Sequence, residues 1–231
     1  MRRGSAEATK RFQRRANRAA ARVWPDGLRS RYPDGMTSNR PTGGPPARTF
    51  REIASLHFDE AEALGFPVFL TSSAKSSPVN GTPYLAPYAR FREAAARWPG
   101  RARLVEALER VRGEAEGLGA AVDFILIGGS FTETAKPAPG DVDCVLFYRR
   151  REPAARIDPP ALAAIERRGK AEGADARFVA LDGDPAVLIK SVSYYSILYS
   201  NDKHEEDRYG VRVVRALFLL DCREGRAGPP A

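Results

Sequence analysis

The pattern of apolar and polar positions divides the chain near Thr49. Across residues 10–23 a basic helix fits, but only Phe12, Val23 and Trp24 in and beside it are large and apolar. That is too little surface to bury, and the Pro/Gly/Ser stretch at 25–46 adds none. After this point the pattern becomes regular. Thr49 is placed to cap a helix, FREIASLHFDEAEALG, with Ile53, Leu56, Ala63 and Leu64 as a broken stripe and Gly65 as its stop. PVFL at 67–70 is a short strand candidate, and SSAKSSPVNGTP reads as a loop. Residues 83–98 and 101–118 read as helices. The second carries Leu104, Val105, Leu108, Val111 and Leu118 at three- and four-residue spacing.

The strongest strand signals flank a glycine turn. The apolar run 124–127 stops at Gly128-Gly129-Ser130, and Pro137 and Pro139 bar a regular helix in the loop that follows. Asp141-Val142-Asp143 then opens a second run, 144–148. Beyond it, 160–173 reads as a helix with Leu162, Ile165 and Ala171 inward, and 175–181 (DARFVAL) as a strand. Residues 186–199 form an apolar helix pattern with Tyr194, Tyr195 and Tyr199. A polar loop, SNDKHEEDRYG, leads to a last strand at 211–220. The expected class is α/β (α+β): a small mixed β-sheet with covering helices and a helical N-terminal region. The expected organisation is a basic, disordered tail at 1–48, a helical region at 49–118, the core at 119–222 and a disordered tail at 223–231.

Charge changes the picture of the first segment only. The chain carries a net charge of +8, yet residues 1–50 hold 12 Lys/Arg against 3 Asp/Glu. The rest is therefore close to neutral, which argues against a broad nucleic-acid groove across the body. For the leading segment three readings stay open: a tail, a stretch preceding a true start at Met36, and an arm for nucleic acid or another acidic surface. Cys144 and Cys222 are the only cysteines, and His57 and His204 the only histidines. Neither a disulfide framework nor a His/Cys metal site follows from these. No run approaches the ~18–20 apolar residues of a membrane span, so no membrane role is expected, and a cytoplasmic protein is. Arg90, Arg92, Arg97, Arg101, Arg103, Arg110 and Arg112 read together as a solvated basic face.

The candidate chemistry lies in the glycine turn and the paired aspartates. Strand side chains alternate faces, so Asp141 and Asp143 point the same way, about 6–7 Å apart. A Gly-Gly-Ser turn lets backbone N–H groups approach an anion, and Ser130 adds a hydroxyl. Two carboxylates aimed into a site suit Mg²⁺, which prefers oxygen ligands and leaves room for substrate phosphates. Each element alone is common; the order strand, Gly-Ser, ten-residue loop, Asp-x-Asp, strand is more specific.

That order, Gly129-Ser130, then 131–140, then Asp141-Val142-Asp143, resembles the signature of the DNA polymerase beta nucleotidyltransferase superfamily. It is most similar to a minimal, poorly characterised bacterial group within it, and the similarity runs over about 83–220. The resemblance implies a nucleotidyltransferase core in which Gly128, Gly129 and Ser130 hold the nucleotide's phosphates. Asp141 and Asp143 would bind Mg²⁺ or Mn²⁺. A third carboxylate from the next strand would complete the catalytic and metal-binding set: Asp175 fits best, with Asp182 second because it lies beyond the strand. The implied reaction moves a nucleoside monophosphate from an NTP to a hydroxyl of RNA or protein. The implied setting is a toxin–antitoxin or defence module, with a cognate toxin or antitoxin as partner. The alternative is a catalytically inactive relative that binds nucleotide or a partner protein; a coincidental likeness in an unrelated α/β domain is the third reading. Lys190 reads as a surface lysine, His204 as part of a charged loop, and the three tyrosines as packing, with base stacking as the other option. Asp207-Arg208 matches a recurrent feature of the resembled group.

Overall fold

The two apolar runs around the glycine turn form the centre of the sheet. The computed structural model describes residues 50–70, 80–134, 139–152, 156–206 and 212–223. Strands β2 (Ala120–Gly128) and β3 (Val142–Arg150) pair antiparallel, with Gly128 opposite Asp143. Along β3, Val142, Cys144 and Leu146 face one core, while Val145 and Phe147 face another. This period of two is why both strands read as unbroken apolar runs: each is covered on both faces.

β4 (Ala174–Ala180) lies parallel to β3, placing Asp175 directly beside Asp143. β7 (Phe218–Asp221) runs antiparallel to β2 on its other side, and β1 (Tyr84–Pro87) pairs parallel with β7. The mixed five-stranded order is β1-β7-β2-β3-β4. A separate two-stranded ribbon joins β5 (Asn201–Glu206) to β6 (Arg212–Val214).

Helices α1 (Phe50–Ala63), α2 (Tyr88–Ala95), α3 (Ala102–Gly117) and α4 (Pro159–Glu172) bury Phe58, Phe91, Leu104, Leu108 and Ile165 in the larger core. Its densest part is aromatic: Phe66 lies 4.5 Å from Phe218 and 5.6 Å from Trp98, ring centre to ring centre. On the opposite face, among the described residues, only α5 (Pro185–Ser200) provides cover, through Leu188, Tyr195, Leu198 and Tyr199. Asp184 caps α5 by accepting from the Ala186 N–H at 2.7 Å. Gly173, in the left-handed region at φ 98°, ends α4. No helix among the described residues is long and apolar enough to cross a membrane.

The class is the mixed α/β one expected, but several elements differ. The span read as a helix from residue 83 begins with β1; its alternation, Tyr84 and Ala86 buried, is too short to stand out. The run at 211–220 is not one strand. It splits into β6 and β7, which belong to different sheets with 215–217 between them. β5 falls where the sequence predicts a loop, because it has no apolar alternation. PVFL contributes a single bridge, Phe69 to Gly81, and no strand. The expectations for 1–48, for the Thr49 cap, for 72–79 of the loop, for Pro137, for Asp207-Arg208 and for the C-terminal tail from 224 fall outside the described residues.

Arg101 corrects the reading of the arginines as one solvated face. Arg90, Arg97 and Arg110 do make surface ion pairs, with Asp59, Glu62 and Glu172. Arg101 is instead fully buried and donates to the carbonyls of Phe131 (2.8 Å), Pro99 (3.0 Å) and Glu133 (2.7 Å). An arginine supplies five N–H groups in a planar fork, which suits convergent backbone carbonyls. Replacing it strands three acceptors without water. Arg101→Leu is therefore expected to cost about 3 kcal/mol or more in urea-unfolding stability. Arg110→Leu, which removes an exposed pair, is expected to cost less than about 1 kcal/mol; equal losses would contradict the structural role of Arg101.

Candidate functional site

β2 ends where its backbone must turn sharply. Gly129 has φ 67°, a region that favours glycine, and opens a 3₁₀ turn over Gly129–Thr132. A Cβ built on Gly129 would lie 2.0 Å from Oδ2 of Asp143. The carboxylate of the second strand thus rests on the backbone of the turn, and only glycine permits it. From within, Thr132 Oγ1 donates to the Gly129 carbonyl at 3.1 Å, and Arg101 holds the carbonyls of Phe131 and Glu133. The Phe131 ring is buried against Phe91 and Trp98. These contacts anchor the turn and leave Ser130 half-buried at a cavity wall.

Gly128 does a different job. A Cβ there would fall 2.5 Å from Cβ of Tyr199 and 2.6 Å from Cδ2 of Leu217. Its bareness lets the end of α5 sit on β2, and it is not part of the cavity wall. The expected phosphate-holding role for Gly128 thus meets a packing role instead.

The cavity has a volume of about 560 Å³ and brings together Gly129, Ser130, Asp141, Asp143 and Asp175. Asp141 sits just before β3 and is exposed; Asp143 is half-buried on the strand itself. Asp175 reaches the same wall because parallel pairing sets it beside Asp143. Asp182 does not join them. It lies beyond the far end of β4, where its carboxylate accepts from Arg150 Nε at 2.9 Å, a bond that lowers its pKa.

Asp175 is held by two cations. Lys170 Nζ donates to its Oδ2 at 2.9 Å, and Arg177 Nη1 lies 2.7 Å from its Oδ1. The Arg177 contact is an ion pair without hydrogen-bond alignment, since that nitrogen donates to the Ala176 carbonyl at 2.7 Å. Burial alone would lower the Arg177 pKa, but Asp175 and Glu166 outweigh it and raise it. Among the described residues no three His, Cys, Asp or Glu side chains converge as a ready metal cluster. The donor set that fits Mg²⁺ or Mn²⁺ is thus the Asp141/Asp143 pair, with oxygens from a phosphate ligand completing it.

Two arginines of the wall, Arg177 and Arg215, are absent from the sequence expectations, whereas the three tyrosines are among them. Arg177 follows Asp175 by two and so shares its face, a signal available in DARFVAL. Arg215 ion-pairs Glu133 at 2.8 Å and lines the cavity through the segment joining β6 to β7. Tyr194, Tyr195 and Tyr199 form the α5 side of the cavity. Tyr199 is buried, with its hydroxyl 3.5 Å from the Cys144 carbonyl, and burial raises its pKa, as it does for Tyr195. Lys190 is exposed and outside the wall, as a surface lysine would be. His204 lies in β5.

Fold and cavity together define a mixed α/β protein with an acidic cleft where β2 ends and β3 and β4 begin, walled on one side by tyrosines. Residues 70–214 match a family of unknown function (DUF6932), and the chain belongs to that family. No curated protein and no solved structure matches it.

Two outcomes follow from this geometry. Gly129→Ala is expected to cost at least about 2 kcal/mol in urea unfolding, from strain at positive φ and the displaced carboxylate. Gly140→Ala, where a Cβ meets open space, is expected to stay within about 0.5 kcal/mol. Burial, then Asp143 and Asp175, pushes the Cys144 thiol well above its ordinary range, and Cys222 is buried as well. A raised pKa leaves almost no thiolate at pH 8. Cys144 should therefore resist Ellman's reagent in the native protein and react once it is unfolded.

Proposed function

We propose that the chain is a metal-dependent nucleotidyltransferase, acting in the cytoplasm, that moves a nucleoside monophosphate from an NTP to a hydroxyl of RNA or protein. The observation that carries this reading is the seating of Asp143 on Gly129, which joins the glycine turn and the paired carboxylates into one unit. A turn without side chains beside two same-face carboxylates is a suitable place for a metal-bound polyphosphate. Mg²⁺ or Mn²⁺, when bound, would supply positive charge to the phosphate oxygens. Asp141 and Asp143 would hold the metal, and Gly129 and Ser130 would orient the phosphates. Arg177 and Arg215, on the same wall, would offset charge on the pyrophosphate as it departs.

In this reaction the acceptor oxygen forms a bond to the α-phosphorus, and the bond from that phosphorus to the pyrophosphate oxygen breaks. Asp175, released from Lys170 or Arg177, would take the acceptor's proton. Resemblance alone suggests a partner from a toxin–antitoxin or defence pair.

The double ion pairing of Asp175 favours a second reading, a nucleotide-binding protein that transfers nothing. Incubation with labelled NTPs, Mg²⁺ or Mn²⁺ and a cell lysate separates the two. The first reading expects label on an RNA or protein, reduced about 100-fold or more by the Asp141→Asn/Asp143→Asn pair. The second expects metal-dependent thermal stabilisation by NTP that grows with its concentration, without transfer. Label transfer that survives the double substitution would overturn the assignment of the site.

A further inference from the structure

The cavity has a second chemical character that phosphate binding leaves unused. Facing the carboxylates, α5 presents a graded series of rings: Tyr199 buried, Tyr195 half-buried and Tyr194 58% exposed. Tyr195 leans on Tyr199 with ring centres 5.5 Å apart, and Tyr194 meets Tyr195 edge-on at 5.1 Å and 77°. Core packing accounts for Tyr199, which belongs to the core beneath α5, and for Tyr195, which packs against it. It does not account for Tyr194, whose one ring contact among the described residues is Tyr195. An exposed aromatic ring held by a neighbour, on the wall of an acidic cleft, is preorganised to receive a flat ligand.

We propose that Tyr194, braced by Tyr195, is the platform on which the nucleotide's base stacks, so that the site accepts all four bases with little preference. This rests on the nucleotide reading above and extends it to the other end of the ligand. A nucleoside triphosphate is a polyanion at one end and a planar aromatic ring at the other. The cavity offers the matching pair: Asp141, Asp143, Gly129 and Ser130 on the sheet side, and the tyrosine series on the helix side. Its volume of about 560 Å³ is in the range that small-molecule sites occupy. Stacking addresses the π face that every base shares, not the donor and acceptor edge that distinguishes them, so it selects for a base without selecting which.

Binding of ATP, CTP, GTP, UTP and inorganic tripolyphosphate in the presence of Mn²⁺, measured by calorimetry, tests the proposal. The full-length protein, Tyr194→Ala, Tyr194→Trp and the Asp141→Asn/Asp143→Asn pair are compared, with the melting temperature of each checked. Tyr194 is exposed, so its variants should fold as the parent does. Tyr194→Ala is expected to weaken every NTP about tenfold or more, and tripolyphosphate less than about twofold. Tyr194→Trp should restore NTP binding, and the four NTPs should agree within about tenfold. The aspartate pair should weaken NTPs and tripolyphosphate alike. If NTPs bind in an aspartate-dependent way but Tyr194→Ala leaves their advantage over tripolyphosphate intact, stacking is overturned while the nucleotide reading stands. A single NTP bound far more tightly than the rest would overturn base tolerance. Absence of aspartate-dependent NTP binding would overturn both readings together.

Discussion

A carboxylate oxygen of Asp143 occupies the space that a side chain at position 129 would need. The candidate site depends on this one close approach. It requires the residue just after β2 to be a glycine at positive φ, Gly129, and it requires the turn it opens to stay where β3 can meet it. The core secures that turn. Phe131 enters the aromatic cluster, and the buried guanidinium of Arg101 ties down the carbonyls of Phe131 and Glu133. Once Asp143 is placed, the rest of the acidic wall follows from strand geometry. Asp141 shares its face two residues earlier, and Asp175 arrives by parallel register.

Three carboxylates on one wall repel one another unless something offsets their charge. Lys170 and Arg177 do so at Asp175, while Arg215 is engaged with Glu133 nearby. A metal-bound polyphosphate would bring its own cation and its own anion. The arginines could then exchange a carboxylate for a phosphate at little net change in charge. This is the sense in which the ion pairs around Asp175 suit either a resting enzyme or a binder. α5 has two duties in the same space. Among the described residues it is the one helix over its face of the sheet, and its last turns form the far side of the cavity.

Much of the centre was legible in the sequence. The runs at 124–127 and 144–148 announced themselves because both faces of β2 and β3 are buried, and Gly129, Ser130, Asp141 and Asp143 lie next to those runs. Asp175 could be ranked above Asp182 because it stands at the head of its strand, and only Asp175 lines the cavity. Gly128 could not be told from Gly129: both lack a side chain, and only the tertiary neighbours, α5 for one and Asp143 for the other, separate them. Arg101 was indistinguishable from six other arginines because its partners are backbone carbonyls about thirty residues away. β1, β5 and β6 are short or polar and leave no local period, and β1 pairs with a strand more than a hundred residues away. Arg215 enters the site only because the chain changes sheets between β6 and β7.

On the proposed function, metal and nucleotide meet between the glycine turn and the paired aspartates. Paramagnetic broadening by Mn²⁺ in an amide NMR spectrum, recorded with an excess of a non-hydrolysable ATP analogue, addresses it directly. The amides of Gly129, Ser130, Asp141, Val142 and Asp143 are expected to broaden first, with Asp175 close behind, while those of α1 and α3 persist. Uniform broadening, or broadening centred on residues away from this cavity, would contradict it.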